Sequence, residues 1–251
     1  MFDLIRWITE VNAEVIRYSI LNSGGQIGKS GVTFGADAQF AYSLTIEAET
    51  GRYYYLCDIH PGMSAALEVV NADVAIASPE EVIADSATKI ADANAFATDF
   101  LYETEAAHPA TTDSDVLEVL AGVETHHNGV HIAIDRFFPA TAVITAEQSV
   151  RWSVAEGNIV AHTVTAPYKP SNETTAFFED SDGNPVLEFT PLILFPTLQD
   201  GGDWAAAADY NHAGLIAPGT GITIRFPDTG VFPYADLLEP GMTGTVVVIE
   251  K

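Results

Sequence analysis

One stretch of the chain concentrates the side chains that could do chemistry: Tyr53-Tyr54-Tyr55-Leu56-Cys57-Asp58-Ile59-His60-Pro61-Gly62-Met63. It holds the only cysteine in 251 residues, and a histidine and a methionine follow at three-residue steps. Thiolate, imidazole and thioether are the soft donors that select copper, and two His, one Cys and a weak axial Met make an electron-transfer copper centre. A hydrolase reading of Cys57 and His60 is disfavoured. Three residues apart on one short loop, they can ligate a common ion more easily than orient as nucleophile and base.

The elements that must position these donors are strands. Arg52 to Tyr55 is aromatic and strand-like, and Ala65-Ala66-Leu67-Glu68-Val69-Val70 alternates in part, so the donors fall on a tight loop between two strands. Residues 1–70, with further strand signals such as Phe40 to Ile46 and glycine breaks, read as a small sandwich. Ser78-Pro79-Glu80-Glu81 supplies an N-cap, a first-position proline and early acids, which announce a helix. Val82, Ile83, Ala87, Ile90, Ala91, Ala95 and Phe96 carry helical spacing to about Tyr102. His108 to Gly122 is turn-rich and acidic, so 71–128 reads as a helix and linker. Residues 129–251 read as a second sandwich. It carries an insertion over 167–218 that is too apolar to be disordered, with Phe177, Phe178, Phe189, Phe195 and Trp204.

The Cys57–Met63 loop resembles the copper loop of the cupredoxins, the plastocyanin and pseudoazurin group, which carries Cys, His and Met in that order. That family also places a histidine after a strand with a Val-x-Trp pattern. The resemblance occurs twice here. Val150-Arg151-Trp152 leads to His162, and the chain ends through Asp236-Leu237-Leu238-Glu239-Pro240-Gly241-Met242. Aligning the Pro-Gly-Met triplets sets Asp236 opposite Cys57, Glu239 opposite His60 and Met242 opposite Met63. Aligning Arg6-Trp7 with Arg151-Trp152 sets Arg17 opposite His162. Neither copy holds a complete ligand set, and an arginine has no lone pair to offer a metal.

The resemblance implies an all-β protein of two Greek-key cupredoxin-like sandwiches joined by the helical, acidic linker. The first sandwich would lack its N-terminal strand, since only five residues precede Arg6-Trp7. It implies one copper ion, held by Cys57, His60 and Met63, used for one-electron transfer or copper handling. His162 and Met242 would be a weak or relic site, with His162 hydrogen-bonded to Asp236 or Glu239. His126, His127 and His131 are candidates for a borrowed ligand or an interdomain centre, against ordinary surface imidazoles. His108 and His212 read as solvated loop residues. No signal peptide is visible in the sequence, and truncation of an exported, extracellular or periplasmic protein is the expectation, over a cytoplasmic protein whose first sandwich leaves an edge uncovered.

Composition narrows the partners. Thirty-five acids against ten Lys and Arg give a net charge of -25, which argues against nucleic acid and favours a redox or copper-donor protein with a cationic face. No apolar run approaches the length of a membrane helix. Phosphate loops, zinc-protease motifs and nucleophile elbows are missing from the sequence. Nitrite reductases and multicopper oxidases, also tandem cupredoxins, need a histidine-rich interdomain site, so an enzyme is the lesser reading. The rival from another class is a copper-free structural or interaction module of a surface protein.

Overall fold

A computed structural model describes residues 49–56, 64–166, 175–179, 185–189, 195–208, 210–239 and 241–251. The chain divides into two units, Met1–Ile83 and Ala84–Lys251. In the first, strands β1 (Gly51–Leu56) and β2 (Ser64–Val69) pair antiparallel, with Gly51 opposite Val69 and Leu56 opposite Ser64. The rest of the sandwich expected over 1–70 lies outside the described residues, as do Arg17 and the missing-strand expectation.

Helix α1 (Pro79–Ala107) starts as its sequence signals require. The Ser78 and Glu81 side chains cap each other's backbone N–H at 3.2 and 2.8 Å, a reciprocal capping box with Pro79 and two early acids behind it. Of the expected stripe, Phe96 alone packs. Ala93, Phe96, Ala97, Phe100, Leu101 and Thr104 form the covered face, whereas Val82, Ile83 and Ile90 stay exposed. Apolar residues at helical spacing define a face, but a partner decides which turns of that face are buried.

The second unit is a two-sheet β-sandwich. One sheet holds β10 (Gly202–Asp203), β12 (Gly221–Arg225), β6 (Ser149–Ser153), β3 (Val116–His127) and β4 (Val130–Phe138), in that order. The other holds β11 (Asn211–His212), β7 (Thr165–Ala166), β13 (Gly230–Ala235), β14 (Thr243–Ile249) and β5 (Thr141–Thr145). The pairs β3–β6 and β5–β14 are parallel, so connections cross between the sheets. Within the 167–218 insertion, β8 (Thr175–Glu179) and β9 (Pro185–Phe189) form a separate antiparallel hairpin.

Burial follows the two-residue period of the strands. In β6, Val150 and Trp152 are buried between half-buried Ser149, Arg151 and Ser153. In β14, Gly244, Val246 and Val248 turn inward. These residues meet Leu117, Val119, Phe137, Ile224, Phe226, Phe232 and Tyr234 in one core, with Trp152 and Tyr234 edge to face at 5.3 Å.

The sandwich therefore begins at Val116 rather than at 129. What reads as acidic linker ends in twelve residues of strand, because Leu117, Val119 and Ala121 alternate toward the core while Glu118 faces out. The acids of 113–118 masked that alternation.

Candidate functional site

The two strands that flank the Cys-His-Met segment form the expected hairpin, with Leu56 opposite Ser64. Cys57, His60 and Met63 themselves lie outside the described residues.

The ligand positions of the second candidate, His162, Asp236, Glu239 and Met242, all lie among the described residues. After buried Trp152 the chain loops back, and His162 is fastened to Ile216 by a reciprocal pair of backbone hydrogen bonds of 3.1 and 2.8 Å. On the other sheet, Asp236 follows the last residue of β13. Its N–H donates to the Met242 carbonyl, and the Met242 N–H donates to the Glu239 carbonyl. These turns bring His162 and the 236–242 loop to the same end of the sandwich, the arrangement that the cupredoxin resemblance implies.

The chemistry there is different. His162 Nδ1 lies 2.6 Å from Asp236 Oδ2, with both side chains buried. The second carboxylate oxygen accepts from the Thr163 N–H (3.2 Å), the Thr163 hydroxyl (2.9 Å) and the Leu238 N–H (2.8 Å). The Leu237 N–H then donates to the Thr163 hydroxyl at 2.7 Å. Asp236 therefore takes the imidazole for itself and spends both oxygens on protein donors. A buried polar group is tolerable when it is hydrogen-bonded, and protein groups supply the partners here. Met242 is buried. Among the described residues, no group of three or more His, Cys, Asp or Glu converges as a metal site. This donor set does not fit copper.

Gly122 makes room for the His162 ring. It adopts φ +63°, and a Cβ added there would lie 2.2 Å from His162 Nε2. The strand pairing is irregular at the same point: Ala121 faces Phe137 but Val123 faces Ile134, so Gly122 opposes both Asp135 and Arg136. Asn158 bridges the bulge to the histidine loop, donating to the Gly122 carbonyl and accepting from the Glu124 N–H, each at 3.1 Å. Glu124, whose side chain is 4% exposed, accepts from the N–H groups of Ile159 and Val160 at 2.9 Å and bonds His131 Nε2 at 2.8 Å. Asp135 borders the network. Its carboxyl is raised above the usual range, first by desolvation, while His162 opposes the shift and Glu124 and Asp236 add to it.

The three clustered histidines divide between two faces. His126 and His131 are direct cross-strand partners with ring centroids 5.0 Å apart. His127 turns to the helix, where it stacks on Phe96 at 4.3 Å and bonds Asp92 at 2.9 Å. It cannot join the other two at one ion. His212 is no solvated loop residue: it is buried in the short strand β11 with Nδ1 2.7 Å from the Thr165 hydroxyl. His108 is half-buried and ends α1, with Nδ1 2.8 Å from the Thr104 carbonyl. Glu124, Gly122, Asn158 and Thr163 were not singled out by sequence. A glycine interrupting an alternating strand is the one signal that marks this spot.

No family model matches the chain, and no curated protein is similar to it. The chain is similar to solved cupredoxin structures. A reduced Cu(I) form of an amicyanin variant matches at 11% identity over 55% of this chain and 86% of that one, with a TM-score of 0.28. A purple cupredoxin from Nitrosopumilus maritimus matches at 14% identity over 53% and 98%, with a TM-score of 0.29. A plastocyanin from Dryopteris crassirhizoma matches at 13% identity over 53% and 99%, with a TM-score of 0.28. At such similarity their copper chemistry does not transfer to particular residues here.

Proposed function

We propose that this chain is a cupredoxin-like copper protein for one-electron transfer or copper handling, with Cys57, His60 and Met63 holding one ion. The observation that carries the reading is the donor trio itself, placed between two strands whose register pairs Leu56 with Ser64. Bound copper would supply a one-electron couple. Cys57 would give the thiolate, His60 the equatorial imidazole and Met63 the weak axial sulfur, the donor pattern of electron-transfer copper. Arg17, aligned with the family's first histidine, would disfavour the more highly charged Cu(II) and so favour Cu(I) carriage.

The acidic surface fits a redox or copper-donor partner with a cationic face. Cupredoxins work outside the cytoplasm, and an extracellular, periplasmic or cell-surface setting goes with the reading. Among the described residues no helix is long and apolar enough to cross a membrane.

A second reading has an observation of its own. The His162–Asp236 pair is a candidate metal position occupied by a protein hydrogen-bond network, as a copper-free structural module would have. The test is a visible spectrum of the purified chain titrated with Cu(II), beside Cys57→Ser. An intense thiolate-to-copper band that vanishes in the variant supports copper at the loop. No band, with no Cu(I) retained either, leaves the structural module.

A further inference from the structure

We propose that the β3–β4 hairpin carries a second, independent metal site, in which His126 and His131 chelate one late first-row divalent ion with Glu124 orienting His131. The two histidines are directly opposite each other across an antiparallel pair, and their rings already approach to 5.0 Å with planes 47° apart. Imidazole nitrogens bind such ions at about 2.0–2.1 Å, which puts each ring centroid about 3.2 Å from the ion. Centroids 5.0 Å apart then subtend about 100° at the metal, between the octahedral right angle and the tetrahedral angle. The centroid spacing is thus the one a shared ion requires.

The surroundings support the same assignment. Glu124 holds His131 Nε2 at 2.8 Å, which leaves Nδ1 as the metal-binding nitrogen and fixes the ring. A carboxylate on the far nitrogen of a ligating imidazole is the recurrent outer-shell partner of metal-binding histidines. Glu124 is itself immobilised by the Ile159 and Val160 N–H groups, so the ring is braced through two layers. Its carboxylate and that of Asp135, which interacts electrostatically with both His131 and Glu124, make the locale anionic. His126 is exposed and completes the chelate from the solvent side, leaving the remaining positions to water. Two imidazoles are what the hairpin offers, since no third ligand-type side chain joins them among the described residues.

Irving–Williams preferences favour Cu(II), Ni(II) and Zn(II) at imidazole pairs, and Ni(II) is the cleaner probe because it is redox-silent here. The site stands whether or not Cys57 binds copper, so the measurement uses the full chain carrying Cys57→Ser. Calorimetric titration with Ni(II) should show one saturable site. His126→Ala and His131→Ala should each abolish it, His127→Ala should leave it unchanged, and Glu124→Gln should weaken it about 10- to 100-fold. His126→Ala is the decisive variant, because its exposed side chain is not needed for folding. Undiminished Ni(II) binding in folded His126→Ala, or no saturable site in the parent, overturns the proposal. Loss of binding in His127→Ala overturns the pairing.

Discussion

Removing the Asp236 carboxylate should be among the most costly single changes in the second sandwich. Asp236→Ala leaves the His162 Nδ1 position and the Thr163 and Leu238 N–H groups without their acceptor in a site closed to solvent. Each buried donor left unsatisfied costs about 1–3 kcal/mol. The contacts share one carboxylate and are not additive, so a loss of about 4 kcal/mol is expected. That is a large part of the 5–15 kcal/mol typical of whole domains. Asp236→Asn keeps an oxygen for the two backbone donors, and His162 can change tautomer to accept from the new amide, so about 1–2 kcal/mol is expected there. Urea unfolding followed by the fluorescence of buried Trp152 and Trp204 reads both. The double variant with His162→Ala should lose less than the sum of its parts by at least about 1 kcal/mol, as residues in direct contact do. An Asp236→Ala loss below about 1 kcal/mol, or additive single variants, would refute the network account.

Two further outcomes follow from the same end of the sandwich. Gly122→Ala should cost about 1–2 kcal/mol for its left-handed backbone. It should cost more for displacing His162, since the new Cβ would lie 2.2 Å from Nε2. In a His162→Ala background only the backbone part should remain, and an undiminished cost there would point away from the ring. Asp135 gives a pH dependence. Its folded carboxyl is raised, so the native state binds the extra proton and stability falls as pH rises through the window above the unfolded value of about 3.9. Asp135→Asn should therefore stabilise the protein near neutral pH by a small, solvent-screened amount. The gain should shrink as pH falls toward 5, staying above the sequence pI of about 4.2, where solubility is lowest; a gain that grows on acidification would refute the sign.

What the sequence reveals here, and what it hides, has physical reasons. The helix start was legible because capping is local: Ser78, Pro79 and Glu81 act within one turn of each other. The strand and histidine spacing from Trp152 to His162 was legible through family resemblance, and bonding of His162 to an acid followed from the alignment of Asp236. Strand β3 was hidden because outward acids and a mid-strand glycine break the apolar run, although the core face alternates through Leu117, Val119 and Ala121. His212 reads as a loop residue for a related reason. Its burial depends on Thr165, forty-seven residues away in sequence, and no local pattern reports such a partner. The separation of His127 from His126 and His131, by contrast, needs only the two-residue period of a strand, once β3 is known to be one.

The end of the second sandwich that holds His162 is framed by backbone hydrogen bonds rather than by a metal. His162 and the 236–242 loop meet at one end, held by backbone bonds to Ile216 and between Asp236 and Met242, none of which needs a metal. The copper donor pattern lacks a thiolate at 236 and a second imidazole at 239. In a Cys57→Ser background, Asp236→Cys with Glu239→His should therefore bind Cu(II) with an intense thiolate charge-transfer band, whereas Asp236→Cys alone should not. The metal-free double variant should be less stable than its parent, because it forfeits the carboxylate network. Copper at 100 times its Kd should then restore about 2.7 kcal/mol by binding only the folded state. A double variant that folds but gives no band would mean that the backbone around 236–242 does not present the new donors to one ion, and that this end of the sandwich owes its shape to the His162–Asp236 network.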